Sequence, residues 1–470
     1  MQRRPKIKIL NPFVLVIASF LIVILLGSLL LVMPWAQKSN NWEWNHYIDA
    51  LFVATSTTCV TGLSAYSSGI GGTLTFAGQL ICLILIQIGG LGFITILTFV
   101  ITLFGHKLQF KDKFVLAKAV NATSLNELTH LVRKIILISF IIELAGFGIS
   151  LPAFLASNMP VKDAIWNSVF MSVSSFNNAG FDVLGSASFI NQATDGTVIL
   201  GTINGGCGYS FPMWAYVYLL VYFMIMITLG GLSFLVIVDV FSFKKRFKQF
   251  KSFTKIVLLT SLILVVFGFI CFLPLECFSH KGFTPLDAIF QSVTCRTAGI
   301  ASYPQGKLTT ASKIVSCFLM FVGGSPLSTA GGIKTTTLFI TFLSMICYFR
   351  KKPVKAFNRR YSTLTVVKAM SLIFIGFFTT IIAFLIICGL EHGKSFNNED
   401  ILFEVYSAFG TVGLSADLTP NLSLGSKIVL CVLMFLGRLG PMTFFQVFQG
   451  NEDTQTKEHF KYVEEDFLIG

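Results

Sequence analysis

Gly410-Thr411-Val412-Gly413-Leu414-Ser415, standing behind the helix-like Asp400-Ile401-Leu402-Phe403, sets the architecture because the chain repeats the phrase four times. The other copies end Val60-Thr61-Gly62, Asn178-Ala179-Gly180 and Thr297-Ala298-Gly299, behind Asp49-Ala50-Leu51-Phe52, Asp163-Ala164-Ile165-Trp166 and Asp287-Ala288-Ile289-Phe290. Every copy lies between two longer hydrophobic runs. Four linked span–loop–span units are what one chain needs to surround a single axial pathway. A closing glycine suits a backbone that turns its carbonyls toward a dehydrated cation. The repeat predicts an all-α membrane protein of four span–pore-helix–span units around one pseudo-fourfold pore.

Composition agrees. Hydrophobic residues make up 54% of the 470 and charged residues only 12%, far from a soluble domain. Eight stretches, near 11–34, 74–104, 134–156, 214–240, 255–273, 312–349, 368–389 and 427–449, are long enough to cross a hydrocarbon core, which takes roughly 20 helical residues. Between the members of each pair sits a shorter apolar stretch that fits a re-entrant helix, tolerated at depth only where protein or water surrounds it. The first span follows Arg3, Arg4, Lys6 and Lys8 but is too long for a signal-peptide core, so it reads as a retained helix. Repeats are expected at 1–104, 105–243, 244–349 and 350–450, with a polar cytoplasmic tail at 451–470. Segment 105–134 predicts a short interfacial helix around 110–121. The excursion 181–213, rich in Gly, Ser, Thr and Asn, suits a lid or vestibule wall.

The net charge of +13 would suit nucleic acid, but its distribution argues otherwise. Most of the 35 Lys and Arg cluster in the N-terminus, 105–134, 241–255, 350–368 and the tail, all on one side if the spans alternate. The opposite side holds Lys38, Lys162, Lys281, Lys307, Lys313, Lys394 and Lys427; Arg296, Lys334 and Arg438 fall inside the membrane region. This asymmetry predicts cytoplasmic termini and basic loops that meet lipid headgroups, with no nucleic-acid partner. The ten cysteines form no CxxC pair and read as small buried hydrophobes. The histidines (46, 106, 130, 280, 392, 459) lie in loops or tail without metal or triad spacing, which argues against an enzyme. No Walker A or Gly-x-Gly-x-x-Gly stretch occurs, so no cofactor is expected in this chain.

Each inner span also carries a glycine break: Gln87-Ile88-Gly89-Gly90-Leu91-Gly92, Leu229-Gly230-Gly231-Leu232, Val322-Gly323-Gly324-Ser325-Pro326 and Leu436-Gly437-Arg438-Leu439-Gly440-Pro441. The first two suit close helix packing as well as a pathway role. The third lies in a span that would be about 57 Å long as unbroken helix at about 1.5 Å per residue, nearly twice the core thickness. An interruption over 323–337 is therefore expected, with Gly323, Gly324, Ser325, Pro326, Ser328, Thr329, Gly331, Gly332 and Lys334 as a gate below the filter. For Lys334 a simple cytoplasm-facing position is the alternative. The filter itself is expected from the backbones of Val60, Thr61, Gly62, Asn178, Ala179, Gly180, Thr297, Ala298, Gly299, Thr411, Val412 and Gly413, where neutral carbonyls replace the ion's waters. The leading Asp residues read as N-caps of short helices whose negative ends face the ion. Arg438 stands where the other breaks have Gly90, Gly231 and Gly324. It reads as a fixed positive charge beneath the filter, or alternatively as a structural Arg paired with carbonyls or a carboxylate. Arg296 is expected to brace loop carbonyls, and Glu143 to be paired internally with a partner the sequence does not name.

At these motifs, and at Arg296-Thr297-Ala298-Gly299, Gly437-Arg438 and the Gly-Gly-Ser-Pro…Lys-Thr-Thr-Thr run, the chain resembles the Ktr/Trk/HKT superfamily of potassium transporters, nearest the KtrB type. Trk-type subunits carry extra helices before the first unit, whereas this chain opens directly on it. The resemblance implies a potassium-translocating, channel-like subunit in a bacterial cell membrane. It further implies a homodimer, in which the ending Tyr462-Val463-Glu464-Glu465-Asp466-Phe467-Leu468-Ile469-Gly470, similar to the KtrB terminus, would pack, and a cytosolic nucleotide-binding ring as gating partner. It assigns Arg438 a barrier role beside the gate. Plant relatives with Ser at the first closing position are associated with sodium permeation, so four glycines favour potassium as the substrate ion. Sodium dependence is left open. The alternative is a sodium- or proton-coupled secondary transporter of the same architecture, although transporters more often show inverted repeats.

Overall fold

Hydrophobic runs without turn signals become long helices here, and hydroxyl or proline residues decide where many of them begin. The computed structural model describes residues 12–38, 44–92, 125–185, 189–190, 192–194, 197–200, 208–241, 247–278 and 283–440. The expected interfacial helix near 110–121 and the tail at 451–470 lie outside them. In chain order come α1 (Pro12–Val32), a short α2 (Trp44–Thr58), a single-turn α3 (Gly69–Thr73) and α4 (Phe76–Leu91). Next are α5 (Leu125–Leu155), α6 (Val161–Phe176), α7 (Met213–Gly231) and α8 (Phe234–Phe241), then α9 (Ser252–Cys277), α10 (Pro285–Thr294), α11 (Thr310–Phe321) and α12 (Thr335–Phe349). Last come α13 (Thr363–Leu390), α14 (Asn398–Gly410) and α15 (Leu424–Leu439).

Four described helices are long and apolar enough to cross a membrane: Arg133–Leu155, Met213–Gly231, Ser252–Cys277 and Thr363–Leu390. Shorter apolar helices cover Ile17–Val32, Phe76–Leu91, Thr310–Phe321 and Thr335–Phe349. Two expected spans are split. The run 312–349 divides into α11 and α12, and the run 214–240 divides into α7 and α8 at Leu232-Ser233, where Leu232 is extended (ψ 144°). The second split follows from its glycine pair. Gly230 and Gly231 weaken the helix, and their carbonyls accept from Thr329 and Ser325 instead. The all-α expectation also needs correction. The excursion after the second glycine loop folds as a three-stranded antiparallel sheet, β1 (Gln192–Thr194), β2 (Thr197–Leu200) and β3 (Tyr209–Pro212). A small hairpin joins β4 (Lys355–Ala356) to β5 (Arg359–Arg360).

The Asp N-cap reading is wrong, by three residues in three of the four copies. Thr284 caps α10 and Asp287 is the third helical residue, its carboxylate reaching back to the Thr284 N–H at 3.0 Å. Asp163 and Asp400 likewise sit in the first turn behind Pro160 and Asn397, and Asp49 lies well inside α2. An acid at this third position still satisfies orphan N–H groups and favours the helix dipole. The inner helices α4, α11 and α15 begin at Thr75, Thr309 and Ser423, whose hydroxyls accept from N–H groups three residues on.

Packing is cyclic. Inner helix α4 lies against α6, α7 against α10, α11 against α14, and α15 returns to α2. Phe20, Phe52 and Leu63 from the beginning of the chain join Phe409, Leu430 and Met434 from its end in one apolar cluster. Outward, α5, α9 and α13 leave Phe140, Leu144, Leu262, Ile263, Phe374 and Phe378 exposed, an apolar belt that water would not tolerate and lipid does.

Candidate functional site

The short helices end where the glycine loops begin, at Thr58, Phe176, Thr294 and Gly410. In each loop the residue two before the glycine is left-handed: Val60 (φ 57°), Asn178 (59°), Thr297 (77°) and Thr411 (50°). The glycines are positive as well, at 103°, 71°, 73° and 96° for Gly62, Gly180, Gly299 and Gly413, whereas the residue between is not. Valine and threonine at positive φ cost of order 1–3 kcal/mol and persist only where the surroundings over-determine them. Alternating hand curls the backbone so that like groups face one side.

The four glycines also meet one another. A Cβ added to Gly62 would sit 2.5 Å from the carbonyl oxygen of Ala179, and one on Gly180 would sit 2.6 Å from that of Ala298. Gly299 and Gly413 face the carbonyls of Val412 and Thr61 in the same manner, so the ring closes. On the side of the residues that follow the glycines opens a cavity of about 440 Å³, lined by Tyr66, Asp182, Gln305 and Asp417 beside all four glycines. Burial raises the Asp417 carboxyl above its ordinary value.

A hydroxyl residue near the end of each short helix braces its loop. The backbone carbonyls of Ser56, Ser174, Thr294 and Ser407 accept from Thr61, Ala179, Ala298 and Val412 at 2.7, 2.8, 3.0 and 2.9 Å. Ser56 Oγ and Ser407 Oγ accept from the glycine N–H groups at 3.1 Å, whereas Ser174 Oγ and Thr294 Oγ1 donate to the carbonyls of Phe181 and Ile300 at 2.5 and 2.6 Å. Sequence reasoning missed these residues. Their signal was a Ser six positions before the glycine in three copies and a Thr five before it in the other.

Against the residues that precede the glycines lies the interruption of the third inner span. It is narrower than 323–337: helix ends at Phe321 and resumes at Thr335, with Val322 bridged to Ile333. One edge donates from Ser325 and Thr329 N–H to Gly231 and Gly230 at 3.1 and 3.3 Å. The other donates from Gly332 N–H to the Gly437 carbonyl at 3.2 Å and from Gly331 N–H to Thr411 Oγ1 at 3.1 Å. Gly323 and Gly324 leave no room for a Cβ against Gly331 and Ala330, and Ser328 Oγ donates to the Ser325 carbonyl at 2.7 Å beside Pro326. Lys334 turns back into the stretch, donating to the Ala330 carbonyl at 2.6 Å. Arg438 is not a bare charge: its guanidinium donates to the carbonyls of Thr329 and Gly89, and to that of Gly90 at 3.2 Å.

Arg296 departs from expectation, and three other charged groups gain partners that the sequence does not name. Among the described residues Arg296 donates not to a loop carbonyl but to the carbonyl and hydroxyl of Ser261 on α9, both at 3.2 Å. Lys313 and Lys427, counted on the side opposite the basic segments, are buried ion-pair partners. Lys313 Nζ lies 2.6 Å from Asp400 and 3.2 Å from Glu399, and Lys427 Nζ lies 2.7 Å from Asp49. Both stand four residues after the cap of an inner helix and reach the next short helix round the ring. Gln79 holds the same station in α4 and accepts from Trp166 Nε1 at 2.7 Å. Glu143 finds its partners in Gln87 and Asn177.

Residues 2–452 match the family profile described as TrkH, cation transport protein. The potassium/sodium uptake protein NtpJ of Enterococcus hirae is 35% identical over 100% of this chain and 99% of its own. The Ktr system potassium uptake protein B of Bacillus subtilis is 34% identical over 95% of this chain and 94% of its own. The crystal structure of the potassium transporter TrkH from Vibrio parahaemolyticus superposes with a TM-score of 0.68 at 16% identity, covering 97% of this chain and 87% of that one, which speaks for the shared fold.

Proposed function

The chain is a member of the TrkH family of cation transport proteins, a multi-pass membrane protein and not an enzyme, and on that premise we propose that it is the potassium-translocating, channel-like subunit of an uptake system. The observation that carries the reading is the closed ring of four positive-φ glycines, each with a left-handed partner two residues before it. Carbonyls of Val60–Gly62, Asn178–Gly180, Thr297–Gly299 and Thr411–Gly413 replace the waters of a dehydrated potassium ion without a charge that would trap it. The four short helices add their negative ends. In this reading the four repeats supply eight spans around one pore, with both termini cytoplasmic. Ions enter from the 440 Å³ cavity as an outer vestibule. The 322–334 stretch, pinned by Arg438, closes the path below. Relatives named as parts of a Ktr system support a separate regulatory subunit, which we take to be a cytosolic nucleotide-binding ring docked on a homodimer in the bacterial membrane.

The name of NtpJ, a potassium/sodium uptake protein, favours a second reading in which sodium takes part. Proteoliposomes holding the purified chain and given a potassium gradient alone separate the two. Uptake under that condition supports a channel-like subunit, and uptake that appears only with a sodium or proton gradient replaces it with coupled transport.

A further inference from the structure

Glu143 lies within the apolar helix Arg133–Leu155 and is 6% exposed. A carboxylate at that depth is costly unless it is well satisfied. Its partners are neutral side-chain amides. Gln87 Nε2 donates to both carboxylate oxygens at 3.1 Å, and Asn177 Nδ2 donates to Oε1 at 2.9 Å. Ser172 Oγ, on α6, donates to the Glu143 backbone carbonyl at 2.5 Å and fixes the helix at that level.

The placement of those amides gives the acid its meaning. Asn177 is the C-cap of α6, immediately before left-handed Asn178 and the second glycine loop. A carboxylate only accepts, so the Asn177 amide must present its nitrogen to Glu143. That nitrogen also reaches the Val173 carbonyl at 3.0 Å and Gln87 Oε1 at 3.1 Å, while Oδ1 is left against Gly90, where a side chain would collide with it. Turned over, the amide would set oxygen against oxygen. A glutamine at 143 would tolerate either orientation. The neighbouring Asn178 amide lies against Thr297 Oγ1 of the next loop at 3.2 Å, and with its ends exchanged its nitrogen would donate to the Ser175 and Ile227 carbonyls at 3.0 and 3.2 Å while its oxygen accepts from Thr297.

We propose that Glu143 is a positioning residue for ion discrimination: through Asn177 it orients the entry of the second glycine loop, without touching the ion. The inference rests on the filter reading above. The test measures the ratio of potassium to sodium uptake in proteoliposomes carrying equal amounts of folded protein, for Glu143→Gln, Asn177→Ala, their combination, Glu143→Asp and Gly62→Ser. Loss of one charge-assisted hydrogen bond predicts a fall of about tenfold for Glu143→Gln. The double variant should fall no further than Asn177→Ala alone, because both act through one contact. Glu143→Asp should recover part of the ratio. A parent-like ratio in Glu143→Gln, or losses that multiply in the double variant, overturns the proposal. If Glu143→Gln does not fold, Gln87→Met, which keeps the Glu143–Asn177 bond, should lower the ratio less than Asn177→Ala; an equal or larger loss overturns it. Gly62→Ser separates the two ideas. An unchanged ratio there removes the filter reading itself, whereas a changed ratio beside a parent-like Glu143→Gln removes only the role of Glu143.

Discussion

The guanidinium of Arg438 donates to the carbonyl of Thr329, a residue 109 positions earlier, and the same group reaches Gly89 and Gly90. One side chain thereby ties the interruption of the third inner span to the glycine break of the first. In the proposed pathway a cation passing here would meet a spread charge and a tethered loop together. A bare unit charge about 6 Å away at an effective dielectric near 20 would repel it by roughly 3 kcal/mol, and the carbonyls reduce that figure.

Replacing Arg438 therefore separates tether from charge. Arg438→Ala removes both and should raise the maximal potassium uptake rate several-fold in cells expressing equal protein. Arg438→Lys keeps the charge but loses the planar fork that holds two carbonyl sites, so it should give an intermediate rate. Deleting several residues between Ser325 and Ala330 should raise the rate further. Slower uptake in all three would mean that the loop and the arginine support the pore instead of obstructing it.

Serine at Gly62 or Gly413 should lower the preference for potassium over sodium while the protein still reaches the membrane. The added Cβ is strained at φ 103° and 96° and drives into the Ala179 or Thr61 carbonyl. Flux assays with each ion alone give the ratio, and a parent-like ratio in both variants would remove these residues from the filter.

Lys313→Met should lower the thermal midpoint in detergent sharply. It strands Asp400, whose side chain is 11% exposed, and breaking such a buried pair costs about 3–5 kcal/mol. Lys427→Met should cost less, since its partner Asp49 is 20% exposed. Pairing Lys313→Met with Asp400→Asn should recover much of the loss, because no buried charge is then unpaired.

Glu391, just beyond α13, carries a pH dependence of definite sign. Burial opposes its ionisation, but donors from Lys394, Ser423 and Ser426 outweigh that and hold its carboxyl down to about 2 from 4.5. Its stabilisation is present above 4.5 and is lost as pH falls from there toward 2. Glu391→Gln should therefore flatten the acid limb of a stability-against-pH curve while lowering stability near neutrality. An acid limb with the parent's slope would refute this.

Several features of the site are legible in the sequence. The recurring triplet closed by glycine is a local signal, and so is the density of Gly, Ser and Pro after Val322, because both reflect what short segments of backbone can adopt. Three of the Asp positions misled by three residues because acids at the N-cap and at the third helical position serve the same orphan N–H groups, and only the helix start tells them apart. That Lys313 and Lys427 are buried was not legible, because a lysine's burial depends on a partner far along the chain.

Membrane character, the four copies of the loop phrase and membership of the cation-transport family were determined by the sequence alone, since hydropathy, glycine spacing and motif order are properties of contiguous residues. Tertiary structure alone decided that each glycine faces the carbonyl of the next loop, that Glu143 holds Asn177, and that Arg438 reaches Gly89 across 349 positions. Those contacts join residues whose separation leaves no local trace. Hydrogen-bond geometry within a few ångströms fixes them, and it exists only once the ring of helices has closed.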